Sequence, residues 1–171
     1  TLGARSQQDC FTCPPGRYCP LQSSVYLSCP ERYYCPIGSS SFTLCPPGAV
    51  CGANTSIPEP CPESYYCPLG TSVPIECYFG TYCPTGTDFP ISCPLGYKAV
   101  GVPNNTLSAL SSFATACEAC PAGYYGTDSR RLKCSVGTPG YYFLGATTSA
   151  MPTNITSQRG AICPIGYYCP E

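Results

Sequence analysis

The chain has 171 residues, of which 17 are cysteine, and its formal net charge is −1. A cysteine content this high is typical of an extracellular disulfide scaffold and not of a cytosolic enzyme. The 8 basic and 9 acidic residues are too few and too balanced to bind a phosphate backbone, so we expect no nucleic acid partner. No apolar run is long enough to span a bilayer, so we expect no membrane insertion in this segment.

Histidine is absent, which removes the usual general base and the commonest metal ligand. The carboxylates are scattered over turns without a convergent pair, so we expect no enzyme activity, no catalytic or metal site and no cofactor. Two C-x-x-C pairs could form zinc knuckles or a redox motif, but a structural zinc site needs four ligands and a redox motif needs a βαβ unit. We favour neither alternative.

The amino-terminal part of the chain is an array of 16-residue repeats marked by two series of cysteines. The first series is Cys13, Cys29, Cys45, Cys61, Cys77 and Cys93, and the second is Cys19, Cys35, Cys51, Cys67 and Cys83. The repeating unit is C-P-x-G-x-Y-C-P-x-G followed by about eight small or polar residues. Such a fixed period predicts an array of structural repeats over residues 10–99.

Proline and glycine define the local conformation, because proline fixes φ at about −65° and glycine accepts the positive φ of a type II turn. The pairs typical of such turns are Pro15-Gly16, Pro47-Gly48, Leu69-Gly70, Thr85-Gly86 and Ala122-Gly123. Each repeat then has two short extended arms around two turns. We therefore predict a small disulfide-rich repeat, an elongated rod of short β-hairpins and turns with little or no helix.

The array is interrupted twice after Cys93. We assign 100–116 as an insertion, 117–134 as a cysteine-rich repeat, 135–162 as a second insertion and 163–171 as the start of a further repeat. The last motif stops within a unit, and neither a signal peptide nor an initiator Met is present. We expect the chain to be a mature or excised piece of a longer array.

One aromatic residue recurs in register with the cysteines. Tyrosine precedes the second cysteine of most motifs, at Tyr18, Tyr34, Tyr66, Tyr82 and Tyr168, whereas Val50 fills this position in the third. A tyrosine here can cover a disulfide while its hydroxyl stays in water. Alternatively, the series continues into a contact with another chain.

Two disulfide arrangements suit the array. The first joins the two cysteines within each motif: Cys13–Cys19, Cys29–Cys35, Cys45–Cys51, Cys61–Cys67, Cys77–Cys83, Cys93–Cys117, Cys120–Cys134 and Cys163–Cys169, with Cys10 left over. The second joins neighbouring motifs, as in Cys19–Cys29, and leaves Cys10–Cys13 and Cys117–Cys120 as pairs and Cys169 unpaired. We favour the first, because disulfides across only two intervening residues are tight and usually redox-active.

Three of the four asparagines begin an N-glycosylation acceptor motif: Asn54, Asn104 and Asn154. Each lies where the array bends or is interrupted. A disulfide-rich extracellular chain would expose such motifs to the glycosylation machinery, so we expect covalent glycans.

The repeated C-P-x-G-x-Y-C-P unit, together with the segment CEACPAGYYG that begins at Cys117, resembles the ephrin-receptor-like and growth-factor-receptor-like cysteine-rich repeats, and a pared-down tumour-necrosis-factor-receptor module. The resemblance covers about two-thirds of the chain and implies an extracellular or cell-surface protein. Similar repeats in protist and algal proteins serve as spacers, wall components, hair-like mastigoneme filaments or ligand-binding ectodomains. The resemblance implies no catalytic residues.

These observations favour a structural extracellular glycoprotein, the building block of a filament, surface hair or wall, whose partners are copies of itself or related repeat proteins. A receptor or adhesion ectodomain that binds a protein ligand is the alternative. A defined assembly needs a feature that occurs once. The run Tyr141, Tyr142, Phe143 and Leu144 is the most apolar in the chain, and we expect part of it to pair with a neighbouring chain rather than fold back and cover the Cys120–Cys134 unit.

Overall fold

The computed structural model describes residues 10–100, 111–127 and 133–169. Eight two-stranded sheets contain nearly all the regular structure, and each joins two strands that are consecutive in the sequence. This confirms a disulfide-rich repeat of small antiparallel β-hairpins with almost no helix. None of the described helices is long and apolar enough to cross a bilayer.

Five hairpins form the regular array: β1 (Arg17–Tyr18) with β2 (Leu27–Ser28), β3 (Tyr33–Tyr34) with β4 (Thr43–Leu44), β5 (Ala49–Val50) with β6 (Glu59–Pro60), β7 (Tyr65–Tyr66) with β8 (Ile75–Glu76), and β9 (Thr81–Tyr82) with β10 (Ile91–Ser92). Three more follow: β11 (Tyr97–Ala99) with β12 (Cys117–Ala119), β13 (Tyr124–Tyr125) with β14 (Ser135–Val136), and β15 (Tyr141–Phe143) with β16 (Gly160–Ile162). One helical turn, α1 (Phe113–Ala116), precedes β12.

Residue contacts divide the chain into two compact units. The first unit comprises the described residues up to Ile75 together with Thr85–Phe89. The second comprises Glu76–Pro84 and the described residues from Pro90 onward.

Consecutive repeats of the first unit are joined by backbone hydrogen bonds outside the two-residue strands. In the first step these are Gly16 N–H to Cys35 O, Cys19 N–H to Ser39 O, Gly38 N–H to Cys13 O and Cys29 N–H to Gly16 O, at donor–acceptor distances of 2.8–3.1 Å. The same four bonds recur in each of the next two repeats, and the bonds from Gly86 N–H to Cys61 O and from Cys67 N–H to Thr87 O extend the pattern as far as Thr87. We call this pattern the inter-repeat ladder. Because it uses only backbone atoms, the ladder restricts the residues between the cysteines only where two turns approach each other closely.

Each turn that supplies the ladder contains a residue with positive φ, in the left-handed region of backbone conformation. Positive φ recurs once per repeat in the first turn, at Gly16, Arg32, Gly48, Ser64, Gly80 and Gly96, and in the second turn, at Gln22, Gly38, Asn54, Gly70 and Gly86. Each of the first four repeats has one glycine and one non-glycine at these two positions, and the order alternates. The array therefore has a second period that is two repeats long.

The close approach of two turns decides where glycine is required. A Cβ atom added to Gly48 would overlap the carbonyl oxygen of Gly86, and one added to Gly16 would overlap that of Asn54. At the equivalent position in the second repeat, Arg32 is accommodated, and its Nε donates a hydrogen bond of 2.8 Å to the carbonyl oxygen of Gly70. Glycine and non-glycine residues thus alternate because, where two turns approach each other, only one of the two has room for a side chain.

Cysteine forms most of the buried interior. Residues that are at most 1% exposed include Cys29, Cys35, Cys45, Cys51, Cys61, Cys67, Cys83 and Cys93, whereas large apolar residues such as Leu21, Ile57 and Val73 are 73–93% exposed. The side chains of Ala49 and Tyr34 pack against the Cys45–Cys51 disulfide. Sulfur thus supplies the packing that aliphatic side chains provide in ordinary domains.

The second unit has the same pattern of backbone hydrogen bonds, formed by different residue types. Gly96 N–H donates to Gly126 O, Gly126 N–H donates to Thr147 O, and Ala146 N–H donates to Cys120 O, at 2.7–2.9 Å. Gly126 thus takes the place of a second cysteine, and Ala146 and Thr147 take the places of residues such as Gly38 and Ser39. Part of the segment 135–162, which the sequence suggests is an insertion, thus makes hydrogen bonds of the same kind within the second unit.

The two close-packed turns of the first unit give a test by substitution. Gly48→Ala and Gly86→Ala both place an alanine at positive φ, which costs about 1–2 kcal/mol. Only Gly48→Ala also forces a methyl group against a backbone oxygen, so we expect it to destabilise the protein by about 2–4 kcal/mol. A Cβ at Gly86 meets nothing within 4 Å, which makes it the matched control. Denaturant unfolding of both variants, with the disulfides intact, measures the difference, and equal losses would contradict the close packing.

Candidate assembly and glycosylation sites

The structure contains the first of the two disulfide arrangements. Its eight bonds are Cys13–Cys19, Cys29–Cys35, Cys45–Cys51, Cys61–Cys67, Cys77–Cys83, Cys93–Cys117, Cys120–Cys134 and Cys163–Cys169. The Cα atoms of each pair lie 5.6–6.3 Å apart, as ordinary disulfides require. Cys10 is free and exposed. The bonds of the first three repeats each close a first turn whose N–H, at Gly16, Arg32 or Gly48, donates to the ladder.

The tyrosines that precede the second cysteines of the array lie on the first strand of each hairpin. Tyr34 packs against the Cys45–Cys51 disulfide, and Tyr82 packs against a cluster that contains Cys93 and Cys117. Tyr18 contacts Phe42 edge-on at 5.3 Å between ring centroids. These contacts support the packing interpretation within the array. Tyr168, in the last motif, is 88% exposed.

The expected assembly residues do not form one exposed surface. Tyr141–Phe143 is strand β15, which pairs with β16, and Phe143 is only 7% exposed. The Phe143 ring stacks on that of Tyr125 at 6.1 Å between centroids. It also lies so close to Gly137 that a Cβ added there would overlap it. Phe143 therefore packs on the hairpin that precedes it, and only the other residues of the run are accessible to a neighbouring chain.

The other face of the same strand remains accessible. Successive side chains of an extended chain point to opposite faces, so Tyr142 and Leu144, the residue directly after β15, share the face that Phe143 does not. Tyr142 is half-buried, and Leu144 is 51% exposed. Leu144 is fixed in place because its N–H donates a 3.0 Å hydrogen bond to Arg159 O. We call Tyr142 and Leu144 the outer face of β15.

Two of the three glycosylation motifs lie among the described residues, and Asn104 lies outside them. Asn54 is exposed in the second turn of the third repeat, and its Oδ1 accepts a 2.9 Å hydrogen bond from Arg17. Asn154 is exposed at the start of a turn, and its Oδ1 accepts the N–H groups of Thr156 and Ser157 at 2.9 Å. In both residues these bonds use the oxygen and not Nδ2, the atom that would carry a sugar.

The turn that presents Asn154 is closed from both sides. Gln158 Oε1 accepts the N–H of Thr153 at 2.6 Å and that of Asn154 at 3.3 Å, and Gln158 N–H donates to Asn154 O at 2.9 Å. Side-chain oxygens thus satisfy the backbone donors at the start of the turn, as in helix capping. Asn154 is held at a fixed, exposed position of the second unit.

Gly126, Ala146 and Thr147 were not identified from the sequence as members of the repeat. The pair Ala146-Thr147 could have been found, because a small residue followed by a hydroxyl residue also marks the second turn of the array, as in Gly38-Ser39 and Asn54-Thr55. In the array this hydroxyl closes the second turn, for example from Ser39 to Pro36 O at 2.6 Å. Thr147 is fully buried, and its hydroxyl donates to Arg159 O at 2.9 Å.

The described residues contain no group of three or more histidine, cysteine, aspartate or glutamate side chains placed to hold a metal ion. Comparison with known protein families and with characterised proteins finds no match to this sequence.

The disulfide arrangement predicts how the protein reacts with an alkylating agent. Without reductant, mass spectrometry of the unfolded chain should find one labelled residue, Cys10, because the other 16 cysteines are bonded. The Cys10→Ser variant should take up no label. Labelling of a second cysteine in the parent protein would contradict the pairing.

Proposed function

We propose that the chain is a structural unit of an extracellular glycoprotein that assembles into a filament, surface hair or wall. The observation that carries this proposal is the inter-repeat ladder, since a unit stabilised by backbone bonds to its neighbours forms arrays without a large apolar core. The disulfides are consistent with a secreted or extracellular protein, because an oxidising compartment forms and preserves them.

The surface chemistry supports assembly rather than catalysis. Charged residues make up only 10% of the chain, and large apolar side chains such as Leu21, Ile37 and Val73 are exposed. Low charge reduces repulsion between copies, and exposed apolar surface favours association. Copies of this chain or related repeat proteins are the proposed partners.

The outer face of β15 is the proposed assembly contact that occurs once. The array presents a similar surface in every repeat, so contacts through the repeats alone would allow register slips. The hairpin formed by β15 and β16 has no equivalent of the same length in the regular array. Leu144 supplies an exposed apolar side chain on this hairpin.

A receptor or adhesion ectodomain is the second candidate. The observation that favours it is this same hairpin, since a local surface that departs from the repeat is what recognition of one protein ligand requires. Electron microscopy of native material separates the two candidates, because fibres with a helical repeat support assembly and monodisperse particles support a receptor.

The contact is tested by replacing Leu144 with Asp. A carboxylate on an exposed residue leaves the fold intact but opposes burial in an interface, so we expect light scattering and microscopy to show loss of association. Ile155→Asp is the matched control, because Ile155 and Leu144 are both 51% exposed. If Leu144→Asp assembles as well as the control, the outer face of β15 is not the contact.

The glycoprotein proposal predicts N-linked sugar at Asn54, Asn104 or Asn154. Peptide-N-glycosidase should lower the mass of native protein and convert each occupied asparagine to aspartate. Thr156→Ala should abolish modification at Asn154, whereas Ser157→Ala, one residue outside the motif, should leave it unchanged. Absence of a mass change at all three positions would contradict the proposal.

A further inference from the structure

The segment that contains the free Cys10 has a second copy in the chain. Residues 10–18 and 117–125 both have the pattern C-x-x-C-P-x-G-x-Y. Cys10 corresponds to Cys117, and Cys13 corresponds to Cys120. The two copies lie in different units, so each can be compared with the other as an independent example of the motif.

The two copies also make the same backbone hydrogen bonds on their carboxyl-terminal side. Four bonds of the first copy (Gly16 N–H to Cys35 O, Cys19 N–H to Ser39 O, Gly38 N–H to Cys13 O, Cys29 N–H to Gly16 O) correspond to four of the second (Gly123 N–H to Phe143 O, Gly126 N–H to Thr147 O, Ala146 N–H to Cys120 O, Gly137 N–H to Gly123 O). The backbone of the motif therefore makes the same bonds in both places, although Cys13 pairs with Cys19 and Cys120 pairs with Cys134.

On the other side, the second copy is covered by the repeat before it. Cys117 forms a disulfide with Cys93, strand β12 pairs in antiparallel register with β11, and Cys120 N–H donates to Gly96 O at 2.8 Å. Cys117 is only 7% exposed as a result. Residues 93–99 thus supply a cysteine, a turn and a strand to the second copy.

The first copy lacks such a cover among the described residues. Cys10 is an exposed free thiol, and Phe11, which corresponds to Glu118, is 96% exposed. Cys10 and Phe11 line an open cleft together with Val25 and Tyr26. The first copy therefore exposes the groups that the second copy uses to bind a preceding repeat.

We propose that Cys10 and the adjoining residues 10–12 bind a cysteine-rich repeat of the kind formed by residues 93–99, supplied by protein outside Thr1–Glu171, and that a disulfide joins the two. Two S–H bonds break and one S–S bond forms, while two electrons and two protons pass to a disulfide oxidant, which is reduced to two thiols. This intermolecular disulfide is independent of the proposed assembly of the chain into filaments.

The partner repeat would place one side chain opposite Phe11, and Phe11 determines which residue type is preferred at that position. In the second copy, Lys98 faces Glu118 across the strands, and Lys98 Nζ lies 3.1 Å from a Glu118 carboxylate oxygen. Phe11 replaces that glutamate in the first copy, so an apolar residue pairs better there than lysine. The partner repeat should carry a β-branched or aromatic residue at the position of Lys98.

The test uses the folded chain with its eight disulfides intact and three heptapeptides in redox equilibrium with glutathione. One peptide has the sequence of residues 93–99 (Cys-Pro-Leu-Gly-Tyr-Lys-Ala), the second has the lysine replaced by valine, and the third is a scrambled version of the second that keeps its first cysteine. Mass spectrometry measures the fraction of Cys10 bonded to each peptide.

We expect the valine peptide to form the mixed disulfide about fivefold more favourably than the scrambled one, the difference that about one net backbone hydrogen bond supplies. The lysine peptide should lie between them, and Cys10→Ser should react with none. Equal equilibria for the valine and scrambled peptides would overturn the proposal. A preference for Cys10–Cys10 dimers over all three peptides would overturn it as well.

Discussion

The short disulfide across each first turn of the regular array is the constraint on which the rest of that array depends. Its two cysteines are six residues apart in the sequence, so the bond closes a small ring around the turn. By the loop-entropy model such a ring contributes about 2.4 kcal/mol, and a net backbone hydrogen bond contributes about 1 kcal/mol. The ring holds the N–H and C=O groups of the turn in position, and the ladder then joins that turn to the next repeat. Two-residue strands would be too short to do this alone.

This arrangement explains how a chain with few buried aliphatic residues keeps a defined fold. The sulfur atoms fill the interior, while apolar residues such as Leu21 and Ile57 remain on the surface. A surface of this kind suits a protein whose partners are other repeats. The free Cys10 and the outer face of β15 are then separate places where this chain would meet neighbouring protein, one covalent and one not.

The array could be predicted from the sequence because its signals are local. Cysteine spacing and the Pro-Gly turns indicate hairpins. Pairing of Cys29 with Cys35 rather than with Cys19 is favoured because the alternative leaves tight disulfides across two residues elsewhere in the chain. The alternation of glycine and non-glycine residues in the first turns, as at Arg32 and Gly48, could not be predicted from the sequence. It depends on contacts with turns that lie more than two repeats further along the chain. The burial of Phe143 could not be predicted from local signals, because its ring packs on Tyr125 and against Gly137 in the hairpin that precedes it.

Amide hydrogen exchange followed by nuclear magnetic resonance tests the central claim, the inter-repeat ladder, most directly. The account predicts slow exchange for the amides of Cys45, Cys61, Gly70 and Gly86, which donate to an earlier repeat, and fast exchange for those of Ile37 and Leu69, for which the described residues offer no acceptor. Protection should therefore recur once per repeat along the array. Protection confined to the two-residue strands, with fast exchange at the four ladder donors, would contradict the account.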